Sequence, residues 1–278
     1  MMDQTVEQSG ALPVGLFWWN RAMNFGDDLA RDVVSCVSGR PVTWARPVKA
    51  QLFAVGSIMS LVRRGALRRG SKVKPFLWGC GCMGPMQADF IHAVEPVKIV
   101  RGPITASFLG LQDVAFGDPG LLANQAHPRH TEQQDIIGLV PHHSEVDDPA
   151  IRSLVESDAK LRLIDSRRPA KVVCTEIADC AKIYSSSLHG LVVADSYSVP
   201  NYWFVNNNIH RSSTLKFYDY AAGIERAMHR PLGLENIAEH AARTPEANLA
   251  YQDGIDECRA SLVESFPAIE TETERQDA

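Results

Sequence analysis

The sequence of 278 residues has no apolar run that approaches the roughly 20 residues needed to span a bilayer. No signal peptide is recognised before Val14, so we expect a cytoplasmic protein. The net charge of −5 argues against a nucleic-acid partner, although it is compatible with a local basic pocket. The six cysteines show no framework spacing, which indicates reduced thiols rather than a disulfide scaffold.

Two common ligand-binding patterns are also incomplete. Cys80 and Cys82 form a C-x-C pair, but no second pair of Cys or His residues supplies the remaining ligands of a zinc finger. Gly79 and Gly81 lack the third glycine of the dinucleotide-binding fingerprint. The sequence therefore argues against a zinc site and against an NAD site in this region.

Short apolar runs that alternate with helix-forming segments occur in two series. The first series has predicted strands at 14–18, 52–55, 76–78, 97–100 and 114–116, and the second has strands at 136–140, 161–164, before 185 and at 202–205. Between the series, residues 124–134 are polar and without periodicity, as in a linker. This pattern predicts an α/β protein with two Rossmann-like domains facing a cleft, at 1–123 and 135–268, followed by a flexible tail at 269–278.

The chain is organised around residues 181–204, where a short strand leads through three serines into an apolar helix. Ser186 or Ser187 is expected to cap this helix, because a serine hydroxyl accepts a hydrogen bond from the free amides of the first turn. His189 then lies in the first turn, at the carboxyl end of a strand. Ligands of α/β sheets collect at this edge, and a helix N-terminus favours an anion there.

Glycines and polar residues recur at the ends of seven predicted strands. A glycine allows the backbone to approach a ligand closely, and its polar neighbour supplies a contact. Each turn alone is also explained by loop conformation. The seven turns are Asn24 to Asp27, Gly56-Ser57, Gly79 to Gly81, Arg101-Gly102, Gly117-Asp118, His142-His143 and Ser187 to His189.

Six motifs, in this order over residues 14–225, resemble the polysaccharide pyruvyl transferases, which make pyruvate ketals on capsule, exopolysaccharide and cell-wall sugars. They are Asn24-Phe25-Gly26-Asp27-Asp28-Leu29, Arg101-Gly102-Pro103-Ile104-Thr105-Ala106, Gly117-Asp118-Pro119-Gly120-Leu121-Leu122, Val140-Pro141-His142, Ser187-Leu188-His189-Gly190 and Lys216-Phe217-x-Asp219-Tyr220. The resemblance implies a GT-B-like fold, phosphoenolpyruvate as donor, and no metal or organic cofactor. It also implies a sugar or lipid-linked oligosaccharide as acceptor at the inner face of the membrane.

For the site, the resemblance and the chemistry together suggest His189 as general acid or phosphate-side donor, since a protonated imidazole serves both purposes. Asp118 or Asp27 is expected to act as base or to bind a sugar hydroxyl. Asn24 and Asp28 are expected on the acceptor side, and His143 is expected to point elsewhere. The expected ligands of the anionic donor are Arg101, Lys216, Ser187 with the helix amides behind it, His142 and Arg211.

One position departs from the family pattern: many members carry an arginine where this chain has Ser187. Arg211 or Lys216 would then supply the missing charge. Two other functions stay open, namely a glycosyltransferase of the same architecture that uses a nucleotide sugar, and a non-catalytic relative that scaffolds polysaccharide assembly. The arginine-rich segment 62–69 is either a solvated helix face or a peripheral contact with anionic headgroups. The oligomeric state is not indicated.

Overall fold

The computed structural model describes residues 12–68, 74–206, 214–227, 230–243 and 249–269. Its first half contains six strands and four α-helices: β1 (Val14–Phe17), α1 (Phe25–Ser38), β2 (Val42–Trp44), β3 (Leu52–Ala54), α2 (Met59–Leu67), β4 (Phe76–Trp78), β5 (Ile99–Val100), α3 (Pro103–Leu109), β6 (Ala115–Phe116) and α4 (Ala123–Ala126). Four strands form a parallel sheet of order β2-β1-β3-β4, and β5 pairs with β6 in parallel.

Within the residues that the structure describes, the second half contains a five-stranded parallel sheet and six α-helices. Its elements are β7 (Gln134–Val140), α5 (Pro149–Ser157), β8 (Leu161–Leu163), α6 (Ala170–Asp179), β9 (Cys180–Ser185), α7 (Leu188–Ser196), β10 (Asn201–Val205), α8 (Leu215–Gly223), β11 (Leu232–Gly233), α9 (Ile237–Arg243) and α10 (Gln252–Glu264). The strand order is β11-β10-β9-β7-β8. The predicted α/β class with two Rossmann-like sheets is therefore confirmed. Within the described ranges, no helix is both long enough and apolar enough to cross a bilayer.

The helix boundaries follow from local chemistry. Asn24 caps α1 by accepting a hydrogen bond from the Gly26 amide, and Gly39 ends the helix in the left-handed region at φ 64°. Helix α3 begins at Pro103, whose missing amide costs nothing in the first turn, and it ends at Gly110, also at φ 64°. Local residue chemistry thus accounts for both ends of these two helices.

The two halves share one continuous hydrophobic core. Leu29 and Val33 of α1 belong to the same buried cluster as Ile177 of α6 and Val192 of α7. Helix α10 also returns to the first half, where the Trp78 indole donates a hydrogen bond to the Leu262 carbonyl at 3.0 Å. The domain boundaries near 123 and 135 stay a prediction. Short helix α4 occupies part of the expected linker, and β7 starts at its last residue.

Candidate active site

The carboxyl ends of strands from both sheets meet around a cavity of about 380 Å³, called here the main cavity. Its wall receives residues from the turns after β1, β3, β7 and β9, and from the first turn of α8. This is the edge at which ligands of parallel α/β sheets bind. The polar residues of the wall are Asn24, Asp27, Ser57, Ser60, His142, His143, Ser187, His189 and Lys216.

The helix start at Ser187 faces the main cavity without a side-chain cap. Ser187 is the N-cap residue of α7, but its hydroxyl makes no capping hydrogen bond, which corrects the expectation that Ser186 or Ser187 caps this helix. Ser186 instead donates to Glu145 Oε2 at 2.5 Å, and Ser185 Oγ accepts from the Ser187 amide at 3.0 Å. The N-terminus of α7, with its positive end of the helix dipole, is thus left open toward the cavity.

His189 lies between the main cavity and a buried carboxylate. Its Nε2 is 4.0 Å from Asp118 Oδ2, and neither atom has a hydrogen-bond partner within the described ranges. The other Asp118 oxygen accepts from the Gly120 amide at 2.9 Å. Asp118 itself is fully buried and does not line the cavity.

Burial and nearby positive charges shift the pKa values of both His189 and Asp118 away from those of the free side chains. Burial, with help from Lys216 and Arg101, lowers the pKa of His189 to about 3. Burial raises the pKa of Asp118 to about 6 against the opposing effects of the Gly120 amide and Arg101. In the ligand-free protein His189 is therefore a neutral imidazole at neutral pH. The expected role of His189 as general acid or phosphate-side donor stays a prediction.

Asp27 and Lys216 are the two charged groups that line the main cavity. Asp27 Oδ2 accepts a hydrogen bond of 2.7 Å from the side-chain amide (Nδ2) of Asn24. Burial raises the pKa of Asp27 to about 7, although Asn24 and Lys216 oppose the shift. Burial and Arg101 lower the pKa of Lys216 to about 8, while Asp27 and Glu145 act in the opposite direction. Near neutral pH the cavity thus holds a carboxyl group close to its titration point and a cationic amine.

Arg101 is held in a buried ion pair and does not line the main cavity. Its Nε donates to Asp219 Oδ2 at 2.9 Å, and its two terminal nitrogens donate to Ser57 Oγ and to the Cys82 carbonyl. Asp219 also accepts from the Thr105 amide and hydroxyl. The arginine therefore contacts Ser57 of the wall and adds positive charge from behind it.

Comparison with known proteins agrees with the motifs. The family model "Polysaccharide pyruvyl transferase" matches residues 100–208, which include the strand ends that carry His142 and His189. The resemblance to the polysaccharide pyruvyl transferases is confirmed. The succinoglycan biosynthesis protein ExoV of Rhizobium meliloti is 30% identical over 212 residues, which cover 74% of this chain and 63% of that protein.

A second relative, an uncharacterised protein of Acanthamoeba polyphaga mimivirus, is 29% identical over 179 residues, which cover 60% of this chain and 61% of that protein. The chain thus spans less than two thirds of the length of either curated relative. Among solved structures, an uncharacterised Klebsiella pneumoniae protein aligns with a TM-score of 0.47 and 9% identity, over 75% of this chain and 87% of that one. A Methanocaldococcus jannaschii UDP-GlcNAc 2-epimerase aligns with a TM-score of 0.45 and 12% identity, over 76% of this chain and 75% of that one.

The remaining residues that the sequence analysis discussed for the site fall into three groups. His142 lines the main cavity and contacts Ser144 at 2.8 Å through Nδ1, and His143 lines the cavity too, although it was expected to point elsewhere. Asp28 lines a smaller neighbouring cavity instead of the main one. Arg211 lies outside the described residues, so its predicted role stays a prediction.

The structure adds residues that the sequence pattern did not single out. Ser57 was noted only as a strand-end residue, yet it joins the Arg101 guanidinium to the cavity wall. Asp219 belongs to the Lys216 motif, but its role as the buried partner of Arg101 has no signal in the sequence beyond that spacing. Trp19 also lines the cavity; it precedes the Asn24 motif and carries no pattern that distinguishes it from the other tryptophans.

A larger cavity of about 500 Å³ lies near the amino end of β10 and is lined in part by Arg226 and Tyr251. Asp195 is buried beside it and accepts hydrogen bonds from Asn201, Tyr220 and Tyr251. Arg226 also lies 3.4 Å from Asp195, so the charges here are mutually satisfied. This cavity brings together none of the family motifs apart from the Tyr220 contact, and we do not assign the active site to it.

Proposed function

We propose that this protein transfers the pyruvyl group of phosphoenolpyruvate to two hydroxyls of one sugar residue, in a polysaccharide or its lipid-linked precursor, and so forms a pyruvate ketal. One observation carries the proposal. The main cavity combines Lys216, His189 and the uncapped N-terminus of α7 with Asn24 and Asp27, in a chain with the family match. Its volume is at the small end of ligand pockets, which run from roughly 300 to 1,000 Å³.

The donor carries a phosphate and a carboxylate, and the main cavity offers positive groups for both. In the proposed complex Lys216 and the first amides of α7 bind the phosphate, and the Ser187 hydroxyl and His142 supply further hydrogen bonds. Arg101 contributes charge without contact, because its guanidinium is already paired with Asp219. The bound dianion would raise the pKa values of His189 and Lys216, since it favours their charged forms.

The reaction is a double addition at the enol carbon. A proton adds to the methylene carbon, and a sugar hydroxyl loses its proton and attacks the resulting cationic carbon. The bond from that carbon to the phosphate oxygen then breaks. A second hydroxyl of the same sugar attacks and closes the ketal, and its proton leaves with the phosphate. Two hydroxyl protons are thus consumed, one by the new methyl group and one by phosphate.

The pKa values favour an exchange of the roles expected from sequence. Asp27, with a pKa of about 7, is partly protonated at neutral pH and is assigned as the acid that protonates the methylene carbon. His189, neutral in the free protein, is assigned as the base for the attacking hydroxyl, and Asp118 behind it stabilises the imidazolium that forms. The imidazolium then loses this proton and Asp27 regains one through solvent, which restores both groups for the next turnover. Asn24 orients Asp27 through its hydrogen bond.

Measurements of donor binding and of turnover distinguish the proposed role of Lys216 in donor binding from that of His189 in the reaction. Phosphoenolpyruvate should raise the melting temperature of the native protein in a saturable way, because a ligand that binds only the folded state stabilises it. Lys216→Met should weaken this response by about tenfold or more in ligand concentration, whereas Lys171→Met, an exposed change on α6, should leave it unchanged. His189→Ala should retain a response to the donor but lose phosphate release in the presence of glycan acceptors.

Other outcomes would redirect the assignment. A saturable response to UDP-sugars, with none to phosphoenolpyruvate, would replace the proposal with a nucleotide-sugar glycosyltransferase. A response to neither ligand, in a protein that melts cooperatively, would favour a non-catalytic scaffold. Equal responses of Lys216→Met and Lys171→Met would remove Lys216 from the donor site.

A further inference from the structure

A second cavity, of about 300 Å³, opens beside the main one and is called here the Trp19 cavity. Trp19 and Asn24 line both cavities, so the two spaces are neighbours that share these two residues. Asn20, Asp28, Arg167 and Arg168 line it in addition. A ligand that fills the main cavity and extends past Trp19 would enter the second space.

The Trp19 cavity offers no unpaired arginine among its described lining residues, so it is not suited to bind an anion. Arg167 is paired with Asp147 and Asp165, its terminal nitrogens lying 2.5 and 2.8 Å from their oxygens. Arg168 is paired with Glu176 at 2.7 Å. Both arginines are thus neutralised by neighbours, in contrast to Lys216 in the main cavity. A neutral ligand with many hydroxyl groups fits these walls better than a second phosphate.

Trp19 supplies a partly exposed aromatic surface in the walls of both cavities. The residue is 38% exposed, and the Arg21 guanidinium lies over one face of its ring, 5.9 Å from the ring centre, so a sugar would pack against the other face. An aromatic ring can cover the apolar face of a sugar, while amides and carboxylates bind the hydroxyls around the sugar's rim. Asn20, Asn24 and Asp28 provide those polar groups here.

We infer that the Trp19 cavity binds the sugar residue next to the one that receives the pyruvyl group. The acceptor is then an oligosaccharide chain of at least two residues, and not a free monosaccharide. This inference rests on the proposed function, because the neighbouring main cavity must hold the donor and the reacting sugar. It assigns Asp28 to the neighbouring sugar residue and Asn24 to both.

The test uses neutral tetrasaccharides as probes, added to the full-length protein in the presence of phosphoenolpyruvate: cellotetraose, maltotetraose, galactotetraose and mannotetraose. At least one should change the tryptophan fluorescence saturably and bind about tenfold more tightly than its methyl monosaccharide. Trp19→Ala should abolish that difference. Trp44→Ala is the matched control, since Trp44 is 42% exposed and lines neither cavity. The phosphoenolpyruvate melting shift of Trp44→Ala should equal that of the native protein, and Trp19→Ala should still give a saturable shift, which shows that it folds and binds the donor.

Each part can fail separately. The inference is overturned if Trp19→Ala keeps the preference for the tetrasaccharide, or if none of the four probes binds a protein that does respond to phosphoenolpyruvate. A native protein that binds a tetrasaccharide at Trp19 but gives no response to phosphoenolpyruvate would overturn the donor assignment and leave the sugar site standing.

Discussion

The ionised carboxylate of Asp27 should destabilise the folded protein, because burial beside the main cavity disfavours its negative charge. Burial against the main cavity raises its pKa from 3.8 to about 7, and the hydrogen bond from Asn24 offsets only part of the effect. The folded state therefore binds the Asp27 proton more tightly than the unfolded chain does. Asp27→Asn keeps the shape and most hydrogen-bonding capacity but removes the titration.

The sign and size of this effect on the free energy of unfolding follow from the linkage between proton binding and folding. Below about pH 3.8 the carboxyl is protonated in both states and the ionisation penalty is absent; the penalty grows as the pH rises toward about 7 and is constant above that. A shift of this size corresponds to about 4 kcal/mol, an upper limit because solvent in the cavity screens the charge. Between about pH 5 and about pH 8.5 the penalty should increase by about 2 to 3 kcal/mol.

The assay is urea unfolding of the ligand-free protein at these two pH values. Asp27→Asn should be more stable than the native protein at the higher pH, and its advantage should shrink by about 2 to 3 kcal/mol at the lower pH. Asp28→Asn is the matched control, since Asp28 is the next residue of the same helix turn and lies near Arg31. The reasoning fails if the advantage of Asp27→Asn is the same at both pH values, or if Asp28→Asn shows the same pH dependence.

Two further substitutions test the packing around the site. Gly26→Ala would place its Cβ 2.0 Å from His189 Nδ1, so we expect lower stability and loss of turnover, whereas Gly84→Ala has no atom within 4 Å of its Cβ and should be neutral by melting temperature and activity. Asp219→Asn leaves the buried Arg101 charge unpaired and should cost about 3 to 5 kcal/mol in urea unfolding; a cost below about 1 kcal/mol would show that this pair does not hold the cavity wall.

Much of the fold follows from short-range patterns in the sequence. Apolar runs that end in glycine or a polar residue mark the parallel strands, and Gly39 and Gly110 mark helix ends because both need the left-handed conformation. Strand β2 was not predicted, and neither was the packing of α10 against the first half of the chain. Strand β2 has only three residues, none of them buried, so it lacks the apolar run on which the prediction relies. The position of α10 depends on long-range contacts such as Trp78 with Leu262.

The site was predicted in its location more than in its chemistry. Ser187, His189, Lys216 and His142 do line one cavity, because the carboxyl ends of parallel strands meet at one edge. The protonation states could not be read from the motifs, since they depend on burial, which the fold creates. For the same reason the sequence did not show that Arg101, which is expected to bind the donor, pairs with Asp219, 118 residues away in the chain.

With Ser187 in place of the arginine that many family members carry, the positive charge of the main cavity comes from Lys216 and the N-terminus of α7. An arginine there would bring a full charge and a long side chain into a cavity of about 380 Å³ that already contains Lys216. With serine, the N-terminus of α7 stays open, and Lys216 and the helix dipole face the cavity together. Because Lys216 has a pKa of about 8, its charge declines over the pH range above Asp27's titration. Donor binding should therefore weaken above about pH 8, whereas an arginine at this position would keep its charge.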